Sequence, residues 1–178
     1  MYSAHTRSLL LVLSAGVLWS TVGLGIRLIQ DADVWQILLY RSISLSIFLY
    51  IVIYIRAGVS PFQQIIHAGL PGVIAGLSLV GAYAGGIYAI QHTSVANAML
   101  LFAAAPFLAA VLGWAVIGER VYKGTWISIC FAVFGIAIMV SNQTFDGSLK
   151  GSLAALGSAL GFAAFTVTLR WGKETEML

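Results

Sequence analysis

Six long runs of apolar residues, separated by short polar breaks, dominate the chain, at about 8–29, 34–55, 68–90, 95–117, 122–141 and 151–171. Each run is close to the roughly 20 residues that an α-helix needs to cross a bilayer core about 30 Å thick. The runs are continuously apolar, whereas the strands of a membrane barrel alternate over about ten residues. The pattern therefore predicts an all-α, polytopic membrane helix bundle with six transmembrane helices. The first run is too long for the apolar core of a signal peptide and no A-x-A cleavage site follows it, so it reads as an uncleaved first helix. The breaks at 30–33, 91–94 and 118–121 are very short, and those at 56–67 and 142–150 are only a little longer. None of them has room for a soluble domain. Any activity is expected inside the bundle or at its rims, which favours transport over catalysis.

Composition strengthens this reading. Of the 178 residues, 60% are hydrophobic and 8% are charged, against about 25% charged in a soluble domain. So few charges cannot cover a water-soluble globule, and disorder requires low hydrophobicity. The single cysteine, Cys130, excludes an intramolecular disulfide framework and a cysteine-rich metal site, and reads as a small core residue. The net charge of +3 is spread one or two residues at a time and forms no nucleic-acid patch; no nucleic-acid partner is expected. The basic residues are better read as topology markers. With a cytoplasmic N-terminus, Arg7, Arg56, Arg120, Lys123, Arg170 and Lys173 lie inside, and Arg27 and Lys150 lie outside. Six against two satisfies the positive-inside rule and predicts that orientation. Asn142-Gln143-Thr144 then faces outward as a sequon-like triplet.

A faint internal repeat adds a plan. A shift of 143 places Leu13 on Leu156, Trp19 on Phe162, Ile26 on Leu169 and Arg27 on Arg170. Five spans separate the starts of the two copies, an odd number, so the second copy begins on the opposite side of the membrane. Inverted repeats of this kind are a signature of secondary transporters. The expected organisation is a cytoplasmic N-terminus over 1–7, a five-helix repeat over 8–141, an outer loop over 142–150, and over 151–178 the first helix of a truncated second repeat.

The stretch Tyr88-Ala-Ile-Gln-His-Thr-Ser-Val-Ala-Asn-Ala-Met-Leu-Leu resembles the end of span three and the start of span four in the EamA family, of the drug/metabolite transporter superfamily. Pro106 followed by Gly118-Glu119-Arg120, Gly135 in span five and Arg41 in span two fit the same pattern in order and spacing. The resemblance covers about residues 8–141. It implies one of two inverted five-helix repeats, and a secondary, non-ATP transporter of a small organic metabolite or drug. Six spans instead of ten leave three expectations: the chain pairs with a second copy, pairs with a separate half-transporter, or is a truncated, inactive transporter half. Neither a cofactor nor a metal is expected, and a bacterial inner membrane is the expected location.

Arg41 carries the most chemistry. It lies seven positions into its span, about 10 Å below the boundary at 1.5 Å per residue. An arginine at depth costs at least roughly 2.5–3.5 kcal/mol and should face the bundle interior or water. It reads either as an anchor for an anionic or carboxylate-bearing solute, or as a snorkelling, helix-packing residue. By the same rise Tyr83 lies at about the same depth in span three. Tyr88 and Asn97 flank the outer turn, and Trp19 is near mid-membrane in span one. These five form the candidate solute-binding set. Tyr88 taken alone reads first as an interfacial anchor, and Asn97 as a helix-start or interhelical hydrogen bonder.

Gly72-x-x-x-Gly76 and Gly81-x-x-x-Gly85 in span three, and Gly157-x-x-x-Gly161 in span six, predict close helix packing or a sliding interface. Pro106 predicts a kink or hinge in span four. Glu119 and Arg120 form a candidate rim salt bridge or gate latch. Asp31-Ala32-Asp33 reads as a cap for the helix from Val34 before it reads as a cation site. The spans contain no carboxylate and so no carboxylate proton relay, and no Walker loop is present. Two other classes compete with transport: a non-transporting membrane subunit, and an enzyme acting on a lipid diphosphate through Asp31 and Asp33. The second would need more polar groups at that rim than His92 alone.

Overall fold

The chain folds almost wholly as helix in a computed structural model that describes residues 2–29, 32–57, 68–141 and 148–176. Six stretches are long and apolar enough to cross a membrane: Ser8–Leu28, Val34–Ile55, Gly69–His92, Val95–Val116, Lys123–Ser141 and Leu149–Gly172. The six spans that hydropathy predicts are therefore present, with boundaries within a few residues. Asp31, His67 and the 142–144 triplet lie outside the described residues.

Two units make up the chain, Met1–Ala32 and Asp33–Leu178. The first holds helix α1, Tyr2–Leu28. Its hydroxyls return to their own helix: Ser14, Ser20 and Thr21 donate to the carbonyls of Leu11, Val17 and Leu18 at 2.9, 2.7 and 2.8 Å. In a medium without water this satisfies groups that would otherwise stand unpaired.

The second unit holds α2 Val34–Ala57, α3 Gly69–His92, α4 Val95–Phe102, α5 Ala105–Val116, α6 Lys123–Ser141 and α7 Ser148–Glu176. Asp33 caps α2 as expected: its carboxylate accepts from the Val34 amide at 2.8 Å, and the Gln36 side chain accepts from the Asp33 amide at 3.3 Å. Span four is two helices. Ala103 and Ala104 turn between them, with the Ala104 amide reaching back only three residues, to Leu101, at 3.1 Å. Pro106, in the first turn of α5, has no N–H to offer the Phe102 carbonyl. Among the described residues, no amide from Ala105 onward donates to a carbonyl before Ala104. The kink that Pro106 predicts is thus a complete interruption of the ladder.

Packing is small inside and large outside. Alanine is the commonest buried residue, among them Ala82, Ala89, Ala98, Ala104, Ala105, Ala109, Ala155, Ala159 and Ala163, whereas Phe131 and Ile55 are each 74% exposed; Cys130, expected in the core, is exposed as well, because its helix turns that side outward. Such an arrangement fails in water but suits lipid, where close backbone approach replaces the hydrophobic drive between helices.

The tightest seam runs antiparallel between α3 and α7. A methyl on Gly161 would stand 2.9 Å from both the Ala82 amide nitrogen and the Ser78 carbonyl oxygen. One on Gly151 would meet the His92 carbonyl carbon at 2.9 Å, and one on Gly85 the Ala154 carbonyl oxygen at 3.0 Å. Gly172 lies against Pro71 at the far end. Mid-seam, the buried Ser158 hydroxyl donates to the Ala82 carbonyl at 2.6 Å. The paired-glycine motifs split across this seam. Gly85 and Gly161 lie in it, while Gly76, Gly81 and Gly157 have nothing within 4 Å, and Gly72 faces Ala68 of its own turn.

Candidate functional site

Arg41 projects from the second turn of α2 and Tyr83 from the middle of α3. The guanidinium carbon lies 3.9 Å from the centroid of the tyrosine ring, and both residues are partly buried. A guanidinium on an aromatic face is attracted by about 0.5–2 kcal/mol, more as water is excluded. Stacking occupies one face of the cation and leaves its edge of N–H donors unspent. Among the described residues the guanidinium meets neither a carboxylate nor a hydrogen-bond acceptor. The pair is therefore a cation fixed at membrane depth without a counter-ion, able to present a donor fork to a carboxylate or phosphate.

Within the second unit, Tyr88 and Asn97 make other contacts. Tyr88 stacks on His92 of its own helix, with ring centroids 3.8 Å apart, and its carbonyl pairs with the His92 Nδ1 at 2.9 Å. Five residues along a helix turn the side chain by about 140°, which aims Tyr88 well away from Tyr83. Asn97 commits both amide hydrogens, one to the Thr93 hydroxyl at 2.9 Å and one to the Ser152 hydroxyl at 2.8 Å. Its own amide donates to the Ser94 side chain that caps α4, at 3.1 Å. Asn97 thus ties α4 to α7. Trp19, on α1 in the other unit, is 48% exposed.

At the opposite end of span four the chain folds back on itself. Gly118 has φ +76°, a conformation that glycine adopts at little cost. The turn lets the Glu119 amide donate to the Gly113 carbonyl at 3.2 Å. The Glu119 carboxylate then lies over Gly113, where a methyl would stand 2.8 Å from its Oε2. Its partner is Arg170 of α7, whose Nη1 donates to Oε2 at 2.9 Å and to Oε1 at 3.3 Å. Arg120 is exposed and is not that partner.

Sequence reasoning passed over Ser152, Ser158 and the Glu119–Arg170 pairing. A signal for the serines was present, since small residues recur at Gly151, Ala154, Ser158 and Gly161; a template of glycines alone was too narrow to register them. Nothing local marks Arg170 as the partner, because the pairing spans 51 positions.

The human protein "Solute carrier family 35 member G1" (Homo sapiens) is 25% identical over 92% of this chain and 48% of its own length. The mouse protein of the same name (Mus musculus) is 25% identical over 93% and 48%. The chain thus spans about half the length of these curated relatives. No solved structure matches. The sequence model of the EamA-like transporter family matches residues 6–141, most of the helical chain described above, and the protein belongs to that family.

Proposed function

We propose that the chain is the solute-binding part of a secondary carrier for small organic anions, driven without ATP, with the Arg41–Tyr83 pair as the anion's anchor. The observation that carries this reading is the guanidinium on the Tyr83 ring, with no carboxylate beside it among the described residues. The sequence supports it, since Arg41 is the charged residue that lies well inside a span rather than at its end, and no carboxylate lies within the spans. A lone cation so placed repels organic cations and attracts carboxylates and phosphates. The chain spans about half the length of its curated relatives, so a second set of helices, in the same chain or another, belongs to the proposed carrier. Uptake into vesicles holding the protein tests the reading. A labelled monocarboxylate should accumulate, and unlabelled carboxylates or phosphates should compete while amines of equal size should not. Equal competition by amines would sink it.

The N-terminus is placed on the cytoplasmic side by the distribution of Lys and Arg. A reporter active only in the cytoplasm should work when fused after Arg56 or Lys123 and fail within 142–150. The reverse pattern would invert the orientation.

A further inference from the structure

The Glu119–Arg170 ion pair and the broken span beside it suggest a moving part. Span four is fastened to α7 at both ends by different chemistry. At one end α4 is held by neutral hydrogen bonds between Asn97 and the fully buried Ser152. At the other, α5 is held by Glu119 and Arg170, whose side chains are 36% and 52% exposed. Between the two lies the interruption at Ala103–Ala104, across which the helical ladder does not run. Phe102 packs at a tilt against Phe162 there, with ring centroids 5.5 Å apart, and Ala104 and Ala105 pack on Ala159.

We propose that Glu119–Arg170 is a releasable latch that frees α5 to swing about this break while α4 stays fixed to α7. Three features place the carboxylate: the left-handed turn at Gly118, the bare surface of Gly113 beneath it, and the Arg170 Nη1 reaching across to both its oxygens. Glu119 lies past the end of its span and Arg170 near the end of its own, at the rim where water and salt reach a polar pair, whereas the Asn97–Ser152 tie is shielded. What remains between α5 and α7 is an apolar seam of Ala109, Ala163 and Val167 with Leu112 beside it. In lipid such a seam carries no hydrophobic drive, so the ion pair weighs more in the balance than it would in water. Release opens the crevice at one end only, as a carrier with alternating access requires. Trp114, edge-on to Trp126 at 5.6 Å, carries the motion into α6.

Thiol labelling in micelles tests this without any solute. In a Cys130→Ser background, Leu112→Cys reports the α5–α7 crevice and Ala98→Cys the α4 end. Adding Glu119→Gln should raise the maleimide labelling rate at Leu112→Cys by about two- to five-fold, the range set by an exposed ion pair, and leave Ala98→Cys unchanged. The charge exchange Glu119→Arg with Arg170→Glu should restore the original rate. Raising ionic strength with the native pair in place should reproduce the selective rise, because salt screens exposed charges; this arm does not depend on any latch mutant folding. An equal rise at both reporters, or no change at Leu112→Cys with salt, would overturn the latch.

Discussion

Gly161→Leu abolishes the folded bundle, while Gly76→Leu leaves it intact. At Gly161 even the first added carbon lies 2.9 Å from backbone atoms of α3 on two sides, Ala82 N and Ser78 O. Backbone cannot rotate out of the way as a side chain can. The helices must separate, and separation also lengthens the Ser158–Ala82 hydrogen bond, now 2.6 Å. Overpacking alone costs about 1–3 kcal/mol, and loss of the partner of the buried Ser158 hydroxyl adds about 1–3 kcal/mol. That is a large part of the stability of a typical domain, about 5–15 kcal/mol. Gly76 belongs to a similar glycine motif but has nothing within 4 Å and is exposed, so a leucine there meets only lipid. Size-exclusion profiles in mild detergent, with thermal unfolding of each variant, check the contrast. Similar loss in both variants would mean that the α3–α7 seam is not where the fold is held.

Arg41→Leu should remove anion binding and make the protein more stable. Opposite signs are expected of an arginine that, as proposed, serves the solute rather than the fold. A bidentate contact to a carboxylate uses two charge-assisted hydrogen bonds, each worth about 1.5–3 kcal/mol, so affinity should fall by roughly 100-fold or more. Removing an arginine from membrane depth relieves a cost of at least about 2.5 kcal/mol, offset in part by the lost stacking on Tyr83. Arg41→Lys keeps the charge but loses the planar fork, and an intermediate loss of about tenfold is expected. Tyr83→Leu should weaken binding through the lost cation–π contact alone, by about 2- to 30-fold. Competition binding of a labelled carboxylate gives the affinities, and thermal unfolding gives the stabilities. If Arg41→Leu destabilises the protein by as much as it weakens binding, the residue is a packing element and the anion site is elsewhere.

Hydropathy makes the six spans legible because a bilayer imposes one length and one polarity on every helix that crosses it. The break at Ala103–Ala104 is half legible: Pro106 marks it, but whether a proline bends or interrupts a helix depends on how neighbours receive the freed carbonyl. For the site, rise per residue assigns Arg41 and Tyr83 the same depth, and the structure brings them together. Depth says nothing about azimuth. Tyr88 and Asn97 share a region of the membrane with that pair yet turn to His92 and to Ser152. The α3–α7 seam is illegible for a related reason. A small residue in a span announces a close approach without naming its partner.

The antiparallel seam of α3 and α7 also sets a clock on biogenesis. The Ala82 carbonyl waits for Ser158, which lies 76 residues downstream. At a synthesis rate of about 5–20 residues per second, roughly 4–15 s pass before that serine is even made. Throughout this interval α3 stands in or beside the membrane with its alanine and glycine face uncovered, and α4, α5 and α6 enter before the helix that completes it. The last described span therefore closes the second unit. A nascent chain stalled before Gly151 should be a set of inserted but unassembled helices, the form in which a membrane protein depends most on its insertase and is most open to quality-control proteases.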